Sequence, residues 1–268
     1  MNPPAPHPTL KRRLNNGEAL LGCFLSLGSP LTAEIMGAAG YDWALIDLEH
    51  GAGGEADVLP QLQALDGTGA AAIVRVESHA RQRAHRVLDF GAHGVMFPRI
   101  DTAEEAAAAV AAMRYPPSGV RGVAFSNRAA LYGSAFRSYM QRSAAELLTV
   151  IQIESPLAVD NAEAIAALDG VDVLFVGPTD LSHSLGMLGE FDRPEFQQAI
   201  GRVVAAAGRH KKALGILLPT PQDFGRYHAL GFRFIASGSD AVLLNNAARG
   251  LVSNLQQLRS QAQGDAPC

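Results

Sequence analysis

The sequence predicts an α/β fold, a single-domain (β/α)8 TIM barrel. Three observations carry that prediction. Eight short, nearly unbroken apolar runs recur along the chain, each followed by a helical stretch. Strands buried on both faces read this way. Eight such units in about 250 residues suit a closed parallel barrel with helices outside. The turn after the first run, Ser26-Leu27-Gly28-Ser29-Pro30, lacks the G-x-G-x-x-G spacing that a doubly wound sheet would want.

In chain order, residues 1–19 are an N-terminal segment and 20–263 the barrel. Strands are expected over 21–27, 43–48, 71–76, 94–98, 147–154, 171–176, 213–218 and 232–236. Gly37-Ala38-Ala39-Gly40 and Leu168-Asp169-Gly170 read as helix stops. Asp101-Thr102-Ala103-Glu104-Glu105 opens a helix, with Asp or Thr as cap and acids in the first turn. Ser155-Pro156 opens another, with Pro at the first helical position. An excursion over 115–146, rich in Arg and aromatics, is read as a long loop on the C-terminal face, shaping the active site or a subunit contact. The last helix, 240–263, is long for this fold, which points to contact with another subunit.

Composition narrows the function. With 268 residues and 48% of them hydrophobic, the chain can bury a sizeable core without staples. A net charge of -4 leaves no basic footprint for nucleic acid and no polybasic patch for a membrane. The two cysteines, Cys23 and Cys268, exclude a disulfide framework and a Cys-rich zinc site, and fit a reducing, cytoplasmic home. The N-terminus has no apolar h-region, and no run approaches ~18 apolar residues, so neither a secretory signal nor a membrane span is expected.

Functional residues of a barrel sit at the C-terminal ends of its strands. Here strand two ends Asp47-Leu48-Glu49-His50-Gly51, strand three Arg75-Val76-Glu77, and strand five Gln152-Ile153-Glu154. Gly177-Pro178-Thr179-Asp180 follows strand six and Ser237-Gly238-Ser239-Asp240 closes strand eight. Charges at the far ends of apolar strands would be costly to bury without partners. Glu154 and Asp180 top adjacent strands, and two carboxylates with room for water suit a hard divalent cation. A helix cap for Asp180 and an ion pair for Glu154 are the plainer alternative. His50 lies three residues after Asp47, and a carboxylate partner would raise its basicity for general-base work. An inward Arg75 must meet an anion, either a substrate oxygen or a structural partner such as Glu77 or Glu154. Asp89, within Leu88-Asp89-Phe90-Gly91, reads as an ordinary helix acid.

The only lysines are Lys11, in the N-terminal segment, and Lys211 and Lys212, expected at the bottom of the barrel. No Schiff-base lysine can then reach a site at the top. No Walker loop or other nucleotide-cofactor signature is present, and no G-x-S-x-G elbow or H-E-x-x-H.

Several motifs occur in order at consistent spacing. They are Asp47-Leu48-Glu49-His50-Gly51, Arg75-Val76, Arg114-Tyr115-Pro116-Pro117-Ser118-Gly119-Val120-Arg121-Gly122, Gln152-Ile153-Glu154, Val176-Gly177-Pro178-Thr179-Asp180-Leu181-Ser182 and Gly238-Ser239-Asp240. With these the chain resembles the HpcH/HpaI aldolases, metal-dependent pyruvate aldolases, from about Leu20 to the last helix. The resemblance implies reversible cleavage of a 4-hydroxy-2-oxo acid, such as 4-hydroxy-2-oxoheptanedioate or 2-dehydro-3-deoxyglucarate, to pyruvate or a related 2-oxo acid plus an aldehyde. It implies a divalent cation (Mg²⁺, Mn²⁺, Co²⁺ or Zn²⁺) on Glu154 and Asp180, and substrate held by Gln152 and the Gly177-Pro178-Thr179-Asp180 turn. His50 would be the acid/base and Arg75 would stabilise the enolate. Asp89 would raise the basicity of His50, a role for which Asp47 competes. The resemblance also implies a homohexamer, a trimer of dimers, with the last helix exchanged between subunits. Many relatives carry Ala or Ser where this chain has Thr179, whose methyl would narrow the pocket.

The alternatives are a citrate-lyase-like CoA-ester lyase on the same barrel, a phosphosugar enzyme using Ser237-Gly238-Ser239 as a phosphate cradle, and a non-enzymatic barrel. No basic cluster advertises a CoA groove.

Overall fold

The structure, a computed structural model, describes residues 9–264 of the chain. Eight parallel strands close a barrel in sequence order. They are β1 (Leu20–Leu25), β2 (Trp43–Asp47), β3 (Ala71–Arg75), β4 (Gly94–Phe97), β5 (Leu148–Ile153), β6 (Val173–Val176), β7 (Ala213–Leu217) and β8 (Phe232–Ser239). Every expected strand is present. β8 runs past Ala236 because a register shift against β1 lets it continue to Ser239.

The helices are α1 (Leu10–Asn15), α2 (Pro30–Ala38), α3 (Glu55–Asp66), α4 (Arg81–Asp89), α5 (Ala103–Met113), α6 (Phe136–Glu146), α7 (Pro156–Asp160), α8 (Ala162–Ala166), α9 (Pro178–Ser184), α10 (Pro194–Arg209), α11 (Phe224–Ala229) and α12 (Asp240–Gly264). Thr102 caps α5 in a reciprocal box with Glu105, so Thr rather than Asp101 does the capping. Ser155 caps α7, with Pro156 in its first turn.

Alternation along the strands sorts the core into two clusters. Phe24, Trp43, Leu45, Ile73, Val150, Phe175 and Phe234 fill the barrel interior. Cys23, Ile46, Val74, Ile151, Leu174 and Ile216 face the helices instead. The interior mixes large rings with residues that have no side chain. Trp43 stacks on Phe234 at 3.8 Å between centroids, and a Cβ on Gly22 would fall 2.1 Å from the Trp43 indole. Leu10 and Leu14 of α1 join the same cluster, so part of the N-terminal segment belongs to the barrel's packing.

Two residues beyond Leu45, Ile73 and Val150 on the same faces come Asp47, Arg75 and Gln152, all buried. The interior therefore changes from apolar to polar at its C-terminal end. That change is where a site can be built.

The excursion lies at the other end. It follows α5, not β4, and so leaves from the N-terminal face; this corrects the expected placement on the C-terminal face. Arg114 pairs with Asp169 just before β6, and Lys11 of α1 donates to the Ala144 carbonyl of α6. Lys11 also pairs with Asp172 at 2.9 Å, and Lys212 donates to the Leu168 carbonyl. All three lysines lie toward this lower end. Among the described residues, no helix is long and apolar enough to cross a membrane.

Candidate active site

The turn after β2 is organised by one carboxylate. Asp47 accepts the amides of Glu49 (3.0 Å) and His50 (3.2 Å), which wraps the chain back over the strand end. A Cβ on Gly51 would lie 2.2 Å from the Asp47 carbonyl oxygen, so only glycine fits the close of that turn. The same carboxylate takes a two-pronged bond from Arg75, Nε to Oδ1 at 2.9 Å and Nη2 to Oδ2 at 2.7 Å. Burial works to raise the Asp47 pKa, but Arg75 and the two amides hold it below the usual carboxylate range.

Arg75 reaches further. Its Nη1 lies 3.0 Å from Glu49 Oε2 and donates to Gln152 Oε1 at 3.5 Å. The guanidinium also sits 5.3 Å from the Phe24 ring centroid, at the boundary with the apolar interior. Its partners are Asp47 and Glu49; Glu77, considered from sequence, pairs with Arg83.

From β5, Gln152 donates to Glu154 Oε2. Glu154 Oε1 accepts the Arg99 amide at 2.7 Å. Gly177 lets the β6 turn come close: a Cβ there would meet Glu154 Oε2 at 2.8 Å and Gln152 Nε2 at 2.9 Å. Pro178 begins α9, and Thr179 and Asp180 follow in its first turn, both exposed. Burial pushes Glu154 up to about 7; Glu49 and Asp180 add to the rise, against the Arg99 amide and Arg75. Glu49 is raised as well, by burial first and then by Asp47 and Asp180, despite Arg75 and His50. Its Oε2 is buried and makes no hydrogen bond of acceptable geometry. Asp47, Glu49 and Glu154 thus crowd one buried cation, with Asp180 acting on the two glutamates.

His50 is 63% exposed, and its Nε2 lies 3.7 Å from Glu49 Oε2. Neither aspartate considered as its ring partner is one within this chain. Asp47 is spent on Arg75 and the turn amides. Asp89 ends α4, a helix that descends from the top of β3 toward the start of β4, so it lies at the opposite end of the barrel from His50. There it accepts from Arg121 Nη2 and Asn127 Nδ2, both at 2.9 Å.

In the sequence Glu49 stands out only as a neighbour of His50, Arg121 only as part of a shared motif, and Arg99 not at all. The Glu49 signal was its place in the β2 turn. Arg99 carried none, because nothing in Pro98-Arg99-Ile100 announces an amide turned toward Glu154. The Ser237-Gly238-Ser239 stretch is not an open cradle. Asp240 beside it takes the Ser26 and Leu27 amides and the Thr32 hydroxyl, at 2.8, 3.3 and 2.8 Å, which sets a carboxylate next to where a phosphate would sit.

Among the described residues no three His, Cys, Asp or Glu side chains converge as a ready metal cage. A cation here would rest on Glu154 and Asp180 and fill its remaining positions with water and substrate.

The family model of the HpcH/HpaI aldolase/citrate lyase family matches residues 20–247, a span that contains every residue of this site. This chain belongs to the HpcH/HpaI family. A curated relative, the 5-keto-4-deoxy-D-glucarate aldolase of Salmonella paratyphi C (strain RKS4594), is 44% identical over 230 residues, covering 86% of this chain and 90% of the relative. An HpcH/HpaI family protein from Burkholderia cenocepacia J2315 superposes with a TM-score of 0.87 at 40% identity, over 92% of this chain and 98% of that one. The HpcH/HpaI aldolase from Desulfitobacterium hafniense DCB-2 gives 0.85 at 29% identity, over 92% and 96%. Within the HpcH/HpaI family this chain sides with the aldolases rather than with the CoA-ester lyases, and it is a carbon–carbon lyase.

Proposed function

We propose that this aldolase reversibly cleaves a 4-hydroxy-2-oxo acid to pyruvate, or a related 2-oxo acid, and an aldehyde. A sugar diacid of the 5-keto-4-deoxy-D-glucarate type is the substrate to try first, given the 44% identical relative. The observation that carries the reading is the unbalanced acid cluster of Glu49, Glu154 and Asp180 around Arg75 and Asp47.

That cluster fits a divalent cation. Glu49, Glu154 and Asp180 act on one another here, and the buried cation among them, Arg75, is already gripped by Asp47, so acidic groups outnumber it. Glu154 and Asp180 would hold the ion, and oxygen donors suit Mg²⁺ or Mn²⁺, with Co²⁺ and Zn²⁺ as further candidates. When bound, it supplies Lewis-acid polarisation of the keto oxygen.

The side chains do the rest. Gln152 and the Gly177-Pro178-Thr179 turn hold the 2-oxo acid end. Arg75, locked by Asp47, presents charge to the enolate oxygen as it develops. His50, exposed beside Glu49, takes the proton of the C4 hydroxyl during cleavage and returns it during addition. Asp89 can assist only a His50 belonging to another subunit.

The assembly we propose is a homohexamer, a trimer of dimers that exchange α12. Supporting it, Leu244, Leu251, Leu255 and Leu258 of α12 are exposed, and the outer face of the β8–β1 seam is bare around Leu21.

The test is pyruvate release from 5-keto-4-deoxy-D-glucarate before and after EDTA. Cleavage that EDTA abolishes and Mg²⁺ or Mn²⁺ restores is expected. Turnover of malyl-CoA without cleavage of the diacid would overturn the proposal.

A further inference from the structure

Four non-glycine residues among those described have positive φ: Arg99, Leu131, Tyr132 and Lys211. Leu131 and Tyr132 belong to the excursion and Lys211 precedes β7, so three of them lie away from the site. Arg99, at φ 52°, follows β4 and touches Glu154 through its amide at 2.7 Å. Glycine is the residue that adopts this backbone without steric cost. A long cationic side chain kept there, beside a catalytic centre, points to work done by that side chain.

The charges around it say what the work is. Arg75 is committed to Asp47 and Glu49. Arg83 and Arg86, on α4, are tied to Glu55. Arg99 is exposed, and among the described residues its guanidinium takes neither a hydrogen bond nor an ion pair. Its backbone amide is anchored on Glu154 and its side chain is exposed, which leaves the guanidinium within a side chain's reach of that carboxylate. The acids below it repel a second negative group on a substrate. A diacid needs a cation at its far end, and Arg75 cannot supply one.

We propose that Arg99 is a specificity residue that receives the far carboxylate of the substrate and so selects 2-oxo acids charged at both ends. This rests on the aldolase reading of the Glu154–Asp180 site. Arg99's charge acts on binding of the distal end; its amide acts separately, by orienting Glu154.

The test separates those two actions. The probes are 2-oxoadipate and 2-oxohexanoate, matched in chain length and differing in the terminal carboxylate; neither has the hydroxyl that cleavage requires. Dissociation constants are measured by calorimetry on the Mg²⁺-loaded full chain, as wild type, Arg99→Asn and Arg99→Lys. Asn tolerates left-handed backbone and keeps the amide. The wild type is expected to prefer 2-oxoadipate by about tenfold, the scale of a hydrogen bond between charged groups. Arg99→Asn should bring the two probes within about twofold, leaving 2-oxohexanoate unchanged, and Arg99→Lys should restore part of the preference. Equal binding of the probes by the wild type, or equal weakening of both in Arg99→Asn, would overturn the role. Exchange of the pyruvate methyl protons on the same samples keeps the two readings apart. Its absence in the wild type counts against the aldolase site, while exchange without a charge preference counts against Arg99 alone.

Discussion

Arg75 and Arg121 each bury a guanidinium against an aspartate, at opposite ends of one barrel. Arg75 grips Asp47 with two bonds and still faces Glu49, Gln152 and Glu154. Arg121 gives one bond to Asp89 and one to the Tyr139 hydroxyl, and lies 4.6 Å from the Tyr115 ring centroid and 5.3 Å from that of Tyr139. Two phenol rings and one acid stand around the lower guanidinium, whose Nε and Nη1 are buried without a hydrogen-bond partner. Several further acids leave the upper pair with negative charge to spare. The bond between the partners therefore does not separate the arginine proposed to meet the substrate from the one at the far end. The charge left over around it does.

Four predictions press on that contrast. The largest effect belongs to the exposed base. His50→Ala should slow diacid cleavage by ~10²–10⁴-fold with an unchanged melting temperature, because the ring supports no packing. A loss of activity that tracks a loss of folding would remove its assigned role. Next comes Arg75→Lys, expected to lower kcat/KM by ~10²–10³-fold, since an ammonium cannot grip Asp47 with a fork and present charge upward as well. Near-wild-type turnover would make the upper pair as structural as the lower.

Arg121→Leu sharpens the other side. It leaves Asp89 without its cation, and urea unfolding should show a loss of about 3 kcal/mol. A stability change under about 0.5 kcal/mol, the scale of an ordinary surface substitution, would show that the lower pair is not a lock. The smallest effect is Thr179→Ser. Removing one methyl is worth about 0.8 kcal/mol, so the KM for the aldehyde in the addition direction should move about fourfold or less. A much larger shift would place that methyl in direct contact with the substrate.

Much of this was legible in the chain. The strands were readable because both faces are buried, which leaves continuous apolar runs such as Trp43 to Ile46. The upper polar layer was readable because Asp47, Arg75 and Gln152 end those runs. What escaped depends on direction and on distant partners. The excursion was assigned to the wrong face, although α5 standing before it already sends the chain downward. The distance between Asp89 and His50 within one chain was not legible either, because it depends on which way α4 runs. The burial of Arg121 was not legible, since it is created by Tyr115 and Tyr139, which only the fold brings together. Arg99's backbone leaves no mark in the sequence at all.

In the proposed mechanism, Glu154 and Asp180 hold a cation that activates a 2-oxo acid. Proton NMR of pyruvate in D₂O tests it most directly, with wild type and a Glu154→Ala, Asp180→Ala double variant, each with Mg²⁺ and with EDTA. The predicted result is loss of the methyl signal in the wild type with Mg²⁺ alone. Exchange that survives EDTA, or that persists in the double variant, would contradict it.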